Sequence, residues 1–108
     1  MALRDEVCVP CRDDGPTLEA SEQAQLQVEL PGWEVIEGHH LHKHLTFADF
    51  TTAVEWLTTA AAICEDQGHH GDFRVGWGYV EIDIHTHKVN GLTRSDAVLA
   101  AKLDAIRM

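Results

Sequence analysis

The order of periodic segments along the chain predicts an α+β domain: a four-stranded antiparallel sheet with three helices packed on one face. Two observations carry this prediction. Three segments repeat apolar residues every three or four positions, as helices do, and between them lie two pairs of short strand-like segments rich in alternating or β-forming residues. Gly and Pro punctuate them, so that the order reads helix, strand, strand, helix, strand, strand, helix. With 108 residues, 44% hydrophobic and 24% charged, the chain suits one domain that buries a core without metal or disulfide staples.

The first 16 residues are polar, carry Pro10, Gly15 and Pro16, and show no hydrophobic period. They are expected to form a mobile arm ahead of a single domain over 17–108. In that arm Cys8-Val9-Pro10-Cys11 is half of a four-ligand zinc site, with no second Cys pair to complete it. Leu18, Glu22, Leu26 and Leu30 recur every four residues, with Ala24 and Val28 between, and predict a first helix that Pro31-Gly32 ends. Trp33 to Glu37 is rich in strand formers, Gly38 supplies a turn, and His39 to Leu45 alternates, which makes a hairpin. In its second strand His40, His42 and His44 share one face, and His39, Leu41, Lys43 and Leu45 the other. Alternate residues on one face can meet a metal, so a His-rich metal-binding protein is one reading of His39, His40, His42 and His44. No nearby acidic residue or Cys completes a ligand set, and a solvated strand face is expected instead.

Thr46-Phe47-Ala48-Asp49 resembles a capping box with Thr46 as the cap, and predicts a helix with the stripe Phe50, Ala53, Val54, Leu57, Ala61 and Cys64, ending near Gly68. That stripe must lie on the sheet, which makes Cys64 a small core residue. A short strand around Phe73 to Val75 then leads through Gly76-Trp77-Gly78 into a strand from Tyr79 to His87. Val80, Ile82 and Ile84 face the core there, while Glu81, Asp83, His85 and His87 face solvent, a subunit interface or a cleft. Asn90-Gly91 is a turn, and Thr93-Arg94-Ser95-Asp96 is a second capping box before a last helix with Ala97, Ala100, Ala101 and Leu103.

A formal net charge of −10 repels phosphate backbones, which argues against nucleic-acid binding. No apolar run approaches the roughly 20 residues needed to span a bilayer. The opening Met1 to Glu6 lacks the apolar stretch of a signal peptide, and three Cys in such a chain suggest reduced thiols, so a cytoplasmic protein is expected.

Chemistry concentrates in Glu65-Asp66-Gln67-Gly68-His69-His70-Gly71, which pairs across the next strands with His87. Imidazole is the one side chain that ordinarily titrates near neutrality, so three of them at a helix end and a strand end suggest proton transfer. Taken alone, His69 and His70 also read as cations at a helix C terminus, Asp96 as a cap, and Trp77 as a core or interface residue.

These residues carry a resemblance. Gln67-Gly68-His69-His70, Trp77, Thr86-His87, Gly91-Leu92-Thr93 with Asp96, and Ala100-Ala101-Lys102-Leu103-Asp104 resemble the pterin-4a-carbinolamine dehydratases; Leu30-Pro31-Gly32-Trp33 and the Cys8/Cys11 arm match bacterial members. The likeness runs from about residue 8 to the end. It departs at Gly71, where the family usually has Pro, and at Gly78, where it usually has Asn; Gly is expected to loosen the placement of His70.

The resemblance implies the same four-stranded, three-helix fold, assembled as a homodimer or homotetramer, and an enzyme that needs no metal or other cofactor. It implies dehydration of 4a-hydroxytetrahydropterin to quinonoid dihydropterin, in support of pterin recycling. Carried over by position, His70 is the acid for the 4a-hydroxyl, His69 and His87 stand on the base side, and Glu65, Trp77 and Asp96 bind or orient. The alternative it leaves is a non-catalytic scaffold, assembly factor or coactivator, which has no need of the three His.

Overall fold

The computed structural model describes residues 3–8 and 17–106. The elements are α1 (Ala20–Glu29), β1 (Glu34–Ile36), β2 (His40–Thr46), α2 (Phe50–Gln67), β3 (Asp72–Gly76), β4 (Tyr79–Ile84) and α3 (Arg94–Asp104), with 3-10 turns over Leu3–Asp5 and His87–Val89. The strands form one antiparallel sheet in the order β1-β2-β4-β3. This is the α+β architecture that the sequence predicts.

The sheet's inner face presents Leu41, Val80, Ile82 and Ile84, all buried with Ala53, Trp56, Ala60, Cys64, Val98, Leu99 and Leu103 of the helices. Each such aliphatic side chain contributes roughly 1.5–3 kcal/mol when fully buried. Lys43 shares that face, and its charge is met there: Nζ lies 2.6 Å from Asp104 Oδ1 and 5.6 Å from the centre of the Trp33 ring, whose Nε1 donates to the same carboxylate at 3.0 Å. The β1–β2 turn closes by a bond from His39 N to Ile36 O, with Glu37 and Gly38 both at positive φ, as the tightest right-twisted hairpins require.

Four expectations are corrected. Along α1 Leu26 and, just beyond its end, Leu30 are buried and Leu18 packs on the core, but Val28, expected between them, is exposed. Thr46 is not a cap: it ends β2 opposite Tyr79, and Asp49 caps α2, its Oδ1 accepting from Thr52 N at 2.8 Å and Thr52 Oγ1 at 2.7 Å. The buried stripe of α2 is Ala53, Trp56, Ala60 and Cys64, while Phe50 and Ala61 are exposed. Trp56, wedged between the rings of Phe47 and Phe73 at 6.2 and 6.4 Å, is the largest apolar group on the helix and turns it to face the sheet there. β4 ends at Ile84 rather than His87, because Thr86 N bonds to Gly91 O and the chain turns through His87–Val89.

Part of the expected arm is docked. Leu3 and Cys8 are buried in the core, Glu6 pairs with Arg94 at 2.6 Å, Lys102 Nζ donates to Arg4 O, and Cys8 N donates to Gln67 Oε1. Leu3 supplies the apolar anchor that the polar composition of the segment hid. Burial pushes the Cys8 thiol up to about 11, so it is a packing group rather than a reactive thiolate. Cys11, and with it the Cys8/Cys11 half-site, lies outside the described residues.

Candidate active site

The end of α2 is turned by Gly68, in the left-handed conformation, and Cys64 clamps the segment from Gly68 to Gly71: its carbonyl accepts from the Gly68 and His69 N–H groups, and its sulfur from the Gly71 N–H. Gly71 packs so closely on β4 that a Cβ there would stand 3.2 Å from Ile84 Cγ1 and 3.4 Å from Asp83 O. A side chain there would have to shift its neighbours by a few tenths of an ångström, and the Gly71 N–H, which the usual Pro would lack, bonds to Cys64, so the loosening expected from glycine is partly offset.

This turn sends the two imidazoles in different directions. His69 reaches α3, where its Nε2 donates to Asp96 Oδ1 at 2.6 Å. Asp96 has no solvent exposure, and its other oxygen accepts from Thr93 N and Thr86 Oγ1, both at 2.8 Å. The capping box therefore uses Oδ2 and leaves Oδ1 for His69. A carboxylate only accepts, so the proton of neutral His69 sits on Nε2 and the lone pair on Nδ1. His70 turns back to α2, its Nε2 meeting Glu65 Oε2, with both side chains exposed.

His87 lies in the turn after β4, and Thr86, bonded to the His69 partner Asp96, ties it to the same corner of the molecule. Its Nε2 is 3.8 Å from Asp72 Oδ2, and its ring centre is 4.1 Å from that of His85, which is 4.6 Å from His39. Burial holds the His85 pKa below the usual imidazole value; the neighbouring His87 and His39 push the same way, and Asp72 and Asp96 oppose them.

The family model described as "Pterin 4 alpha carbinolamine dehydratase" matches residues 16–106. The chain belongs to this family. It is 42% identical over 104 residues to a protein of Rubrobacter xylanophilus provisionally named pterin-4-alpha-carbinolamine dehydratase, covering 96% of this chain and 97% of that one. A Rickettsia bellii protein of the same provisional name is 41% identical over 107 residues, covering 98% and 95%. The crystal structure of a transcriptional coactivator/pterin dehydratase from Brucella melitensis superposes with a TM-score of 0.78 at 30% identity, over 83% of this chain and 97% of that one. A pterin dehydratase-like protein identified as a RuBisCO assembly factor in the alpha-carboxysome, at 23% identity and a TM-score of 0.56 over 68% and 83%, shows likeness of fold alone.

Within this dehydratase-family fold, five of the six site residues named from sequence fall into two pairs and a neighbour: His69 with Asp96, His70 with Glu65, and His87 joined to the first pair through Thr86. Trp77 does not join them. It is 72% exposed in the β3–β4 turn, just beyond Gly76, which stands four strand residues from Asp72, or about 13 Å at ~3.3 Å per residue. Gly78, at φ 79°, holds that turn in a conformation that Asn also tolerates. Sequence reasoning missed Asp72, the bond from Thr86 to Asp96 and the clamp by Cys64; the signal for Asp72 is its position one residue after Gly71. His40, His42 and His44 do have acidic neighbours, which come from β4: His42 Nδ1 is 2.7 Å and His40 Nε2 3.7 Å from Asp83 Oδ1, and His44 Nδ1 is 3.6 Å from Glu81. Register across strands, hidden from local sequence, supplies them. Among the described residues no helix is long and apolar enough to cross a membrane.

Proposed function

We propose that the chain dehydrates 4a-hydroxytetrahydropterin to quinonoid dihydropterin by histidine acid/base catalysis. Expelling the 4a-hydroxyl as water needs a proton delivered to that oxygen, and forming the N5=C4a bond needs the N5 proton removed. The observation that carries the reading is the His69–Asp96 pair. A buried carboxylate, anchored by Thr93 and Thr86, fixes both the ring and its tautomer, and leaves a lone pair on Nδ1 to serve as base. His87 supports the base side. His70 is the acid; to deliver a proton from Nδ1 it must be imidazolium, and the Glu65 carboxylate is the counter-charge at its Nε2. The two protons balance: one leaves with the hydroxyl as water and the other passes from N5 to the base.

A positioned acid or base typically contributes about 10²–10⁴-fold. His69→Ala, His70→Ala and His87→Ala should each lower turnover at least roughly tenfold with the fold kept, whereas His42→Ala and His44→Ala should change it little. The assay is carbinolamine dehydration by purified, chelator-treated protein. Loss confined to the His42 and His44 variants would place the chemistry elsewhere, and no rate above the spontaneous one would leave the scaffold reading in its place.

A further inference from the structure

We propose that Asp72, His85 and His87 form a site for one divalent transition-metal ion, and that an ion held there takes His87 out of proton transfer. The second half rests on the dehydratase reading; the site itself does not. One ligand atom from each of the three side chains lies within 4.8 Å of the others. They come from two segments distant in sequence. Asp72 opens the edge strand β3, His85 follows β4, and His87 stands in the next turn, and these are held in place by the β3–β4 ladder and the Thr86–Gly91 bridge.

The spacing is informative. At 3.8 Å, His87 Nε2 and Asp72 Oδ2 are too far apart for a hydrogen bond. Ligand bonds of about 2.0–2.2 Å around a tetrahedral ion, however, set neighbouring donors about 3.4 Å apart. Closing on an ion needs a few tenths of an ångström there and at most about 1.4 Å at the widest separation. Asp72 and His87, at 63% and 66% exposure, are free to turn that far, while His85 is the more enclosed ligand. Two imidazole nitrogens and one carboxylate oxygen suit Zn²⁺, Co²⁺ or Ni²⁺ rather than the all-oxygen shells of Ca²⁺ and Mg²⁺. Three protein ligands leave a fourth position for water. A ring nitrogen bonded to the ion has no lone pair for a proton, so binding and turnover compete for His87.

The His42–Asp83 pair on the same sheet face is the contrasting case, since its 2.7 Å contact already satisfies both groups. Metal-free protein would be titrated with Zn²⁺ by calorimetry and with Co²⁺ by visible absorption, without substrate. One ion per chain is expected. His85→Gln and Asp72→Asn should each weaken binding roughly tenfold or more, with the metal-free melting curve kept, and His42→Gln should not weaken it. Saturating Zn²⁺ should suppress turnover and chelator restore it. The site is overturned if the chain binds neither ion, or if binding survives both variants, as it would were Cys8 and Cys11 the ligands. The shared role of His87 is overturned if Zn²⁺ binds and turnover is undiminished. Zn²⁺ binding by a protein without turnover would remove the dehydratase reading and keep the site; turnover without binding would do the reverse.

Discussion

Asp96 serves two masters at the residue scale: it completes the cap of α3 and it orients His69. Removing it leaves the Thr93 N–H and His69 Nε2 without their partner, at about 1–3 kcal/mol for each unsatisfied group, while the Thr86 hydroxyl keeps only the Thr93 hydroxyl. Asp96→Ala is therefore expected to lose about 2–4 kcal/mol in urea unfolding, well beyond the roughly 1 kcal/mol of an ordinary cap. A loss near 1 kcal/mol would mean that the carboxylate does no more than cap. The motif itself was legible in the sequence, because Gly68-His69-His70 and Thr93 to Asp96 are local patterns. The division of labour between the two carboxylate oxygens was not, since it depends on two elements meeting. The same holds for Cys64, whose sulfur takes the Gly71 N–H although its spacing marks only a core position.

At the scale of elements, helix and strand existence followed from periodicity, and their faces and ends did not. The choice between Ala60 and Ala61 shows why: both fit a three- or four-residue step, and only the packing of Trp56 decides. Ala60→Leu, into a fully buried position, should cost about 1–3 kcal/mol by overpacking, and Ala61→Leu, on the exposed side, less than about 0.5 kcal/mol. Equal costs in thermal melts would contradict this orientation of α2. The docked N-terminal segment has a pH signature. The Arg94 hydrogen bond holds the Glu6 carboxyl below its ordinary value of 4.5. A group whose pKa is depressed on folding adds stability above its unfolded pKa and loses it as pH falls through the folded one. Glu6→Gln should therefore be slightly less stable than wild type at pH 7, with the difference vanishing in acid below pH 4.5. A difference that grows on acidification would sink this account of the contact.

For the whole molecule, the order β1-β2-β4-β3 places β2 and β4 inside the sheet and leaves β1 and β3 as its edges. The edge strand β3 carries an open row of backbone donors and acceptors along its five residues. Pairing with a second copy would cover such an edge, so a homo-oligomer is expected; sedimentation at micromolar concentration showing only the 12.0 kDa monomer would exclude it. Fold class was legible in the sequence because every local signal agreed with it, whereas strand order, and with it the acidic neighbours of His42 and His44, rests on long-range pairing that no local pattern encodes. The central claim is that a carboxylate-fixed His69 tautomer makes this corner a proton-transfer site, and Asp96→Asn tests it most directly. The Thr93 N–H must keep an oxygen partner, so the new amide NH₂ falls opposite His69 Nε2 and drives the ring proton to Nδ1, the nitrogen that has to accept. With the fold retained, the variant's carbinolamine dehydration rate should fall at least roughly tenfold below that of chelator-treated wild type, itself well above the spontaneous rate. Equal rates for the two proteins would contradict the claim.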